Sequence, residues 1–181
     1  MSEHCLIFAA EVDQRVVNIA ISYLTEIAIT GGTKLTVAIS SPGGNVVAGV
    51  TIYNALCSMP FEIDTHNFGN VDSIANVIFL AGKNRYANAS ATFMFHGVGF
   101  NGNANERLEE KNILEKLDVI RAEHKRIAGL IASRSTLQES ACLRLFRQQR
   151  TRGTSWAKAN GLIHDVKEFV VPTGATLKYL V

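Results

Sequence analysis

Short apolar runs alternate with longer amphipathic segments along most of the chain, a pattern that predicts a parallel α/β sheet. The apolar runs have the length of strands, which we place at residues 6–9, 35–39, 62–68, 85–87, 92–96 and 166–170. Helical periodicity lies between them, and we place helices at residues 14–29, 46–59, 73–81 and 154–160. Runs that are apolar at nearly every position, such as residues 35–39, are typical of a sheet covered on both faces. No internal repeat or linker-like tract divides the chain, so we expect a single domain over residues 1–181.

The segment at residues 105–133 has a different pattern. Charged residues crowd most of its faces, while His124 stands in an apolar seam formed by Ile113, Leu117, Ile120, Ile127 and Ile131. A helix of this length measures about 43 Å at about 1.5 Å per residue, which is longer than a domain of this size needs for its own core. We expect it to project and pack against a partner, although a helix lying across its own domain would show the same pattern. A second helix is expected at residues 137–147.

Composition excludes several functional classes. The chain has 181 residues, 47% of them hydrophobic, enough for a sizeable core. Its formal charge of +2 is too small to predict a nucleic acid or an anionic membrane as partner. The sequence has neither an apolar run of membrane-spanning length nor the pattern of a secretory signal, so we expect a cytoplasmic protein. The three cysteines are unclustered, and there is no phosphate-binding Gly-x-x-x-x-Gly-Lys motif, so we expect no metal and no cofactor.

A glycine turn follows the second predicted strand, in the stretch Ser41-Pro42-Gly43-Gly44. Proline fixes the turn, and paired glycines let a substrate backbone approach without a β-carbon in the way. Backbone N–H groups exposed by such a turn can stabilise an oxyanion. A Pro-Gly-Gly sequence taken alone is more often only a turn.

A serine and a histidine further along the chain are the candidate nucleophile and base. Ser73 opens a predicted helix after the strand that leads to Gly69, although an N-cap role for Ser73 or for Asp72 is the simpler alternative. A nucleophile at that place would have the N–H of Ile74 as one oxyanion donor, with Gly44 as the other. His96 ends an apolar strand and enters a glycine-rich loop, from which it could take the Ser73 proton. A hydrogen-bonded structural histidine is the alternative.

In their order and spacing these stretches resemble the proteolytic subunit of the Clp protease. The similarity runs from Leu6 to about Val170 and includes residues 52–54, 79–82 and 157–163. It implies a crotonase-like spiral of ββα units, with a head at about residues 1–96 and 148–181 and a handle at about residues 97–147. It also implies protomers that self-associate into heptameric rings, and two rings that meet through this handle as a tetradecamer.

The resemblance further implies a serine peptidase that hydrolyses polypeptides inside the ring chamber. Ser73 would be the nucleophile, His96 the base, and Gly44 and Ile74 the oxyanion donors. We expect four residues to bind substrate, with an extended peptide pairing beside them as an added strand: Gly43, Asn101, Gly102 and Asn103.

The chain departs from the family pattern in three places. Counting back from Gly161 puts Gln149 at the position of the triad acid, and no Asp or Glu occurs between residues 143 and 158, so Asp165 is the nearest downstream carboxylate. Asp72 precedes Ser73 where the family has small residues. The chain also enters its first strand almost at once, so we do not expect the axial loops that contact an AAA+ unfoldase.

Two other functions remain open on the sequence. Gln149 and Asp72 favour a non-catalytic subunit or scaffold that keeps the fold and the ring. An acyl-CoA hydratase or isomerase of the crotonase superfamily would need acidic residues in its catalytic pocket.

Overall fold

Strands and helices alternate through a computed structural model that describes residues 2–100, 107 and 109–181. The strands are β1 (Glu3–Phe8), β2 (Lys34–Ser41), β3 (Glu62–Asp72), β4 (Asn84–Ala87), β5 (Thr92–Met94), β6 (Thr151–Gly153), β7 (Asp165–Val166) and β8 (Thr176–Leu180). The helices are α1 (Gln14–Ile29), α2 (Val46–Cys57), α3 (Ala75–Phe79), α4 (Glu110–Ser133), α5 (Glu139–Gln148) and α6 (Thr154–Ala159). This arrangement confirms the α/β class.

The strands form one sheet in the order β6-β5-β3-β2-β1-β8, with β4 attached to β3 and β7 to β4. Every pairing is parallel except that of β5 with β6. The first half of β3 pairs with β4 through residues 64–67, and its second half pairs with β5 through residues 70–72. The sheet therefore branches within β3, and the carboxyl ends of β3 and β5 lie side by side.

Helices α1 and α2 each have an apolar buried face, and a side chain caps the first turn of each helix. Asp13 accepts a hydrogen bond from the Val16 N–H at 2.8 Å, and Asn45 accepts one from the Ala48 N–H at 2.9 Å. The buried residues of α1 recur at intervals of three and four: Val16, Val17, Ala20, Tyr23, Leu24 and Ile27. The predicted bounds of this helix, residues 14–29, are confirmed. They could be predicted because the cap and the apolar spacing are both local signals.

Several other predicted bounds are wrong. Helix α3 begins at Ala75 instead of residue 73, since Ser73 has a φ of +56° and lies outside the helical region. Strand β5 ends at Met94, the last residue that pairs with β3. The strand expected at residues 166–170 shrinks to the two residues of β7, which pair with Tyr86 and Ala87 of β4. Strands β6 and β8 were not predicted, because β6 has only three residues and β8 buries only Leu180.

Helix α4 leaves most of its length exposed, which agrees with the expectation that it projects from the rest of the chain. It has 24 residues, so it is about 36 Å long. Its buried residues all lie in the carboxyl-terminal half, at Ile127, Ala128 and Ile131. Large apolar side chains in the other half are exposed: Ile113, Leu114 and Val119. The first residues of the predicted helix lie outside the described part of the chain, apart from Arg107 and Glu109.

Two arginines attach the carboxyl end of α4 to the head. The buried guanidinium of Arg85 donates hydrogen bonds to the carbonyl oxygens of Gly82, Arg134, Gly161 and Leu162 at 2.7–3.1 Å. Arg134 in turn donates to the carbonyl oxygens of Leu80 and Ala81. These bonds fix the orientation of α4 relative to the sheet.

Candidate active site

Ser73 occupies a sharp turn between the end of β3 and the start of α3. Its φ of +56° lies in the left-handed region that residues other than glycine seldom enter. The Met94 carbonyl holds this turn, because the Ser73 N–H and Asn76 Nδ2 both donate to it at 2.8 Å. Asn76 Nδ2 also donates to the Ser73 carbonyl at 3.0 Å. A strained strand-to-helix turn is the geometry that exposes a nucleophilic serine in hydrolases.

The glycine turn lies directly against Ser73. Gly43 and Gly44 have φ values of +87° and +146°, which favour glycine. A β-carbon on Gly43 would lie 2.7 Å from both the Ser73 Cβ and the Asp72 carbonyl oxygen. The turn is held by Val12, whose N–H donates to the Gly43 carbonyl at 2.7 Å and whose carbonyl accepts the Asn45 N–H at 2.7 Å. The close approach of Gly43 to Ser73 therefore requires glycine.

Two backbone N–H groups near Ser73 are unpaired. Those of Gly44 and Ile74 have no acceptor among the residues that the structure describes. Ile74 is the N-cap residue of α3, and no side chain caps that helix, so the capping roles considered for Ser73 and Asp72 are wrong. Unpaired N–H donors beside a nucleophile can bind an oxyanion.

The hydrogen bond of His96 leaves one of its two ring nitrogens available. Its Nδ1 lies 2.7 Å from the Gly97 carbonyl oxygen. Because a carbonyl oxygen only accepts hydrogen bonds, Nδ1 carries the proton and Nε2 of the neutral ring has a free lone pair. This is the tautomer that a general base needs in order to accept a serine proton.

Ser73 and His96 line one cleft of about 130 Å³, together with Gly44 and Ile74. Much of the remaining wall is apolar and comes from α4 and α5, through Ile127, Ile131 and Phe146. Over residues 2–100, 107 and 109–181, no hydrogen bond joins the Ser73 hydroxyl to His96. Such bonds are often long in enzymes without substrate and tighten when it binds.

Comparison with known proteins identifies the family. The family model described as Clp protease matches residues 1–169 of the chain. The chain belongs to the Clp protease family. The ATP-dependent Clp protease proteolytic subunit of Cyanophora paradoxa is 29% identical over 99 residues, which cover 53% of this chain and 51% of that protein. Proteolytic subunit 2 of Mycolicibacterium paratuberculosis is 30% identical over 99 residues, covering 53% and 50%. The chain spans about half the length of the curated relatives it matches.

The fold agrees with this family over a larger part of the chain. A mutant form of ClpP1 from Listeria monocytogenes superimposes with a TM-score of 0.80 and covers 92% of both chains. The two sequences are 20% identical, so this likeness shows the fold alone. The fold is the crotonase-like α/β fold of ClpP, as the sequence predicts.

Gln149, at the position expected for the triad acid in this family, does not line the cleft. It ends α5 in a left-handed conformation, with a φ of +49° and its N–H bonded to the Leu145 carbonyl at 3.1 Å, and it is exposed. Asp165 is engaged elsewhere, since it accepts a hydrogen bond from Lys158 at 2.7 Å that lowers the pKa of its carboxyl group. No carboxylate lines the cleft in the described part of the chain.

Asp72, next to the candidate nucleophile, is held by a polar group in its own strand. Its Oδ2 accepts a hydrogen bond from Asn70 Nδ2 at 2.7 Å. Asn70 Oδ1 also accepts a hydrogen bond from the Ser40 hydroxyl at 2.9 Å, so the carboxylate belongs to a small polar network. Asp72 is not among the residues that line the cleft, and its carboxylate is bound within this network.

The residues expected to bind substrate are described only in part. Gly43 lies beside Ser73, as given above. Asn101, Gly102 and Asn103 lie outside the described residues, so their role stays a prediction. The loop that leads to them lines the cleft through Gly97, Val98 and Gly99.

His124 is a contact of this site that the sequence analysis did not single out. Its Nε2 accepts a hydrogen bond from the Val98 N–H at 2.8 Å, which joins α4 to the loop after His96. Burial lowers the pKa of His124, and the positive charge of Arg147 lowers it further, so the neutral ring is favoured. Its place in the apolar seam of α4 was the one available signal, since a histidine there faces the head.

Membrane-spanning helices and metal-binding clusters are both absent from the described residues. None of their helices is both long enough and apolar enough to cross a membrane. Nor do they contain a cluster of three or more His, Cys, Asp or Glu side chains that could hold a metal ion.

Proposed function

We propose that this chain is a serine peptidase that hydrolyses peptide bonds. The observation that carries the proposal is the convergence on one cleft of Ser73, His96 and the unpaired N–H groups of Gly44 and Ile74. A left-handed backbone at Ser73 adds support, because such strain is retained where the surrounding structure enforces it for function.

In the proposed reaction Ser73 Oγ attacks the carbonyl carbon of the scissile peptide bond. His96 Nε2 accepts the hydroxyl proton, and the N–H groups of Gly44 and Ile74 donate to the oxyanion that forms. Collapse of this intermediate breaks the C–N bond, and the proton passes from His96 to the leaving amine. Water then attacks the acyl-enzyme with His96 again as base, which frees Ser73.

No carboxylate of the described residues lines the cleft, which limits the expected rate. In a protease triad, an amide in place of the acid costs about 10⁴ in kcat because the histidine takes the wrong tautomer. Here the Gly97 carbonyl already favours the productive tautomer of His96. We therefore expect a loss smaller than about 10⁴ relative to a full triad.

The proposal extends to a homo-oligomeric ring of protomers, each a single domain. The exposed apolar residues in the projecting half of α4 support self-association, because large apolar side chains on a projecting helix favour a partner. Rings of seven, paired as a tetradecamer, are the family arrangement that we propose, with polypeptides as substrates. Partnership with an AAA+ unfoldase is not part of the proposal, and a cytoplasmic location stays a prediction.

A non-catalytic ring subunit is the second candidate. The exposed position of Gln149, away from the cleft, favours it, since no carboxylate of the described residues lines the cleft to support His96. The hydratase or isomerase reading has less support, because the described cleft is not lined by the acidic residues that such an enzyme would need.

Labelling with a fluorophosphonate distinguishes the two candidates. We expect the wild-type protein to gain the mass of one adduct and Ser73→Ala to gain none. Ser58→Ala serves as the control, because Ser58 is exposed and only bonds the Ala55 carbonyl at 2.9 Å, so it should label like wild type. Intact-mass spectrometry measures the adduct. A folded, assembled wild type that gains no adduct over hours would favour the non-catalytic subunit.

A further inference from the structure

The peptide group that joins Gly97 to Val98 is hydrogen-bonded by a histidine at each end. Its carbonyl oxygen accepts from His96 Nδ1 at 2.7 Å, and its N–H donates to His124 Nε2 at 2.8 Å. A peptide group is planar and rigid, so its two ends move together. The orientation of the candidate base is thereby connected to a side chain of α4.

His124 lies in close contact with this peptide group and with its other neighbours. A β-carbon on Gly97 would lie 2.7 Å from His124 Nε2, so the loop approaches the imidazole in a way that only glycine allows. On its other side the ring packs against Phe146 of α5, with the ring centroids 5.6 Å apart. Ile127, one turn further along α4, is buried in the core and fixes the helix at this point. No step of the proposed reaction uses His124.

We propose that His124 is a positioning residue, which holds the Gly97–Val98 peptide group so that the Gly97 carbonyl orients His96 in place of a triad acid. The inference rests on the proposed peptidase function. Gln149, which stands at the position of the triad acid, is neutral and does not line the cleft, and no carboxylate of the described residues lines it. The hydrogen-bond partner of His96 Nδ1 is therefore the Gly97 carbonyl oxygen.

Hydrogen bonds that share a peptide group strengthen one another. When the Val98 N–H donates to His124, the Gly97 carbonyl oxygen becomes more negative and accepts more strongly, by an amount of about 10–30% per bond. When His96 Nε2 accepts the Ser73 proton, the ring becomes an imidazolium whose Nδ1–H stays on this oxygen. No proton moves to the carbonyl, so the peptide group stabilises the positive charge only through its dipole.

Two substitutions at His124 separate hydrogen bonding from packing. His124→Leu removes the acceptor with little change in volume, whereas His124→Gln can present an amide oxygen to the Val98 N–H. The chain offers a matched control in His164, whose Nδ1 accepts the Arg85 N–H at 3.1 Å outside the cleft. His164→Leu removes the same kind of hydrogen bond without touching the loop at residues 97–98.

Three measurements are made on the assembled protein: kcat and KM for a fluorogenic peptide, the rate of fluorophosphonate labelling, and amide hydrogen exchange at Val98 by mass spectrometry. In His124→Leu we expect kcat and the labelling rate to fall about tenfold, the effect of one neutral hydrogen bond. KM should change by less than about twofold, because His124 acts on the base and not on substrate binding. Protection of the Val98 amide should be lost in this variant alone.

His124→Gln should restore kcat to within about threefold of wild type, and His164→Leu should leave it unchanged. An unchanged kcat in His124→Leu, despite an unprotected Val98 amide, would overturn the inference and leave the peptidase proposal standing. A Val98 amide that exchanges freely in wild type would overturn it as well. A wild type that neither turns over peptide nor labels defeats both proposals. If His124→Leu does not fold, His124→Ala takes its place with the same expectation.

Discussion

The backbones of Gly43 and Ser73 meet in a space that admits only one β-carbon. Ser73 already holds that position in a left-handed conformation, and a second β-carbon on Gly43 would lie 2.7 Å from it. The candidate nucleophile and the glycine turn therefore depend on each other at the level of single atoms. A β-carbon added at Gly43 would therefore force Ser73 to move.

A series of glycine substitutions tests this dependence. Gly43→Ala should destabilise the protein by more than about 3 kcal/mol, since it combines a left-handed φ with steric overlap. Gly31→Ala should cost about 1 kcal/mol, because Gly31 has a φ of +73° but open space around its Cβ position. Gly153→Ala, with open space and no positive φ, should stay within about 0.5 kcal/mol of wild type. Urea denaturation measures the free energy of unfolding of all three variants. Equal losses of stability in Gly43→Ala and Gly31→Ala would show that the steric overlap at Gly43 contributes nothing.

At the scale of elements, helix α4 has two halves with different roles. Its carboxyl-terminal half belongs to the core and to the wall of the cleft, where Ile127 and Ile131 contribute. Its other half leaves large apolar side chains exposed. The two halves are joined rigidly, so contacts made by the projecting half can influence the position of His124 and of the loop that it holds.

Arg85 attaches the end of this helix to the head. Arg85→Met should lower the free energy of unfolding by about 2–4 kcal/mol, because buried carbonyl oxygens lose their donor. Lys83→Met is the matched control, since it removes the exposed ion pair between Lys83 and Glu62 and should have little effect. Chemical denaturation compares the two. An equal effect of both substitutions would show that the Arg85 hydrogen bonds contribute little.

The projecting half of α4 carries the prediction about assembly. Leu114→Asp places a charge at an exposed apolar position, so we expect the oligomer to dissociate into smaller species. Glu115→Gln, which changes an exposed polar residue of the same helix, should leave the assembly intact. Native mass spectrometry at micromolar concentration gives the masses. A wild type that is monomeric there would defeat the proposed ring.

At the scale of the whole molecule, we expect three histidines to make stability depend on pH. The pKa values of His66, His124 and His164 are all lowered from 6.5, in each case chiefly by burial. Such groups bind fewer protons in the folded state than in the unfolded state at mildly acidic pH. Their neutral forms are therefore part of the native structure.

We expect the free energy of unfolding to be highest above the ordinary histidine pKa of 6.5 and to fall as the pH drops below it. The sign follows because the unfolded chain gains more protons than the folded one across this window. Urea midpoints measured between about pH 8 and pH 5 test the expectation. His66→Gln should make the dependence shallower, whereas stability that rises towards pH 5 would contradict it.

Part of the fold and of the candidate site could be predicted because the signals are local. The caps at Asp13 and Asn45 and the apolar spacing of α1 act within a few residues, so they determine where helices begin. The glycine turn, Ser73 and His96 were identified by their places at strand ends, and the carboxyl ends of neighbouring parallel strands bring such residues together.

Other features were decided only by contacts between distant parts of the chain. Strand β8 exists because β1 offers an edge for it to pair with, and nothing in its own exposed residues predicts it. The left-handed conformation of Ser73 depends on its hydrogen bond to the Met94 carbonyl. The exposed position of Gln149 depends on the left-handed C-cap that ends α5. The Val98 bond to His124 spans 26 residues. By itself the sequence determined the order of most elements and the candidate residues, since periodicity and caps are local. Tertiary structure decided which of them meet, because hydrogen bonds between separate elements form only when packing brings their atoms within reach.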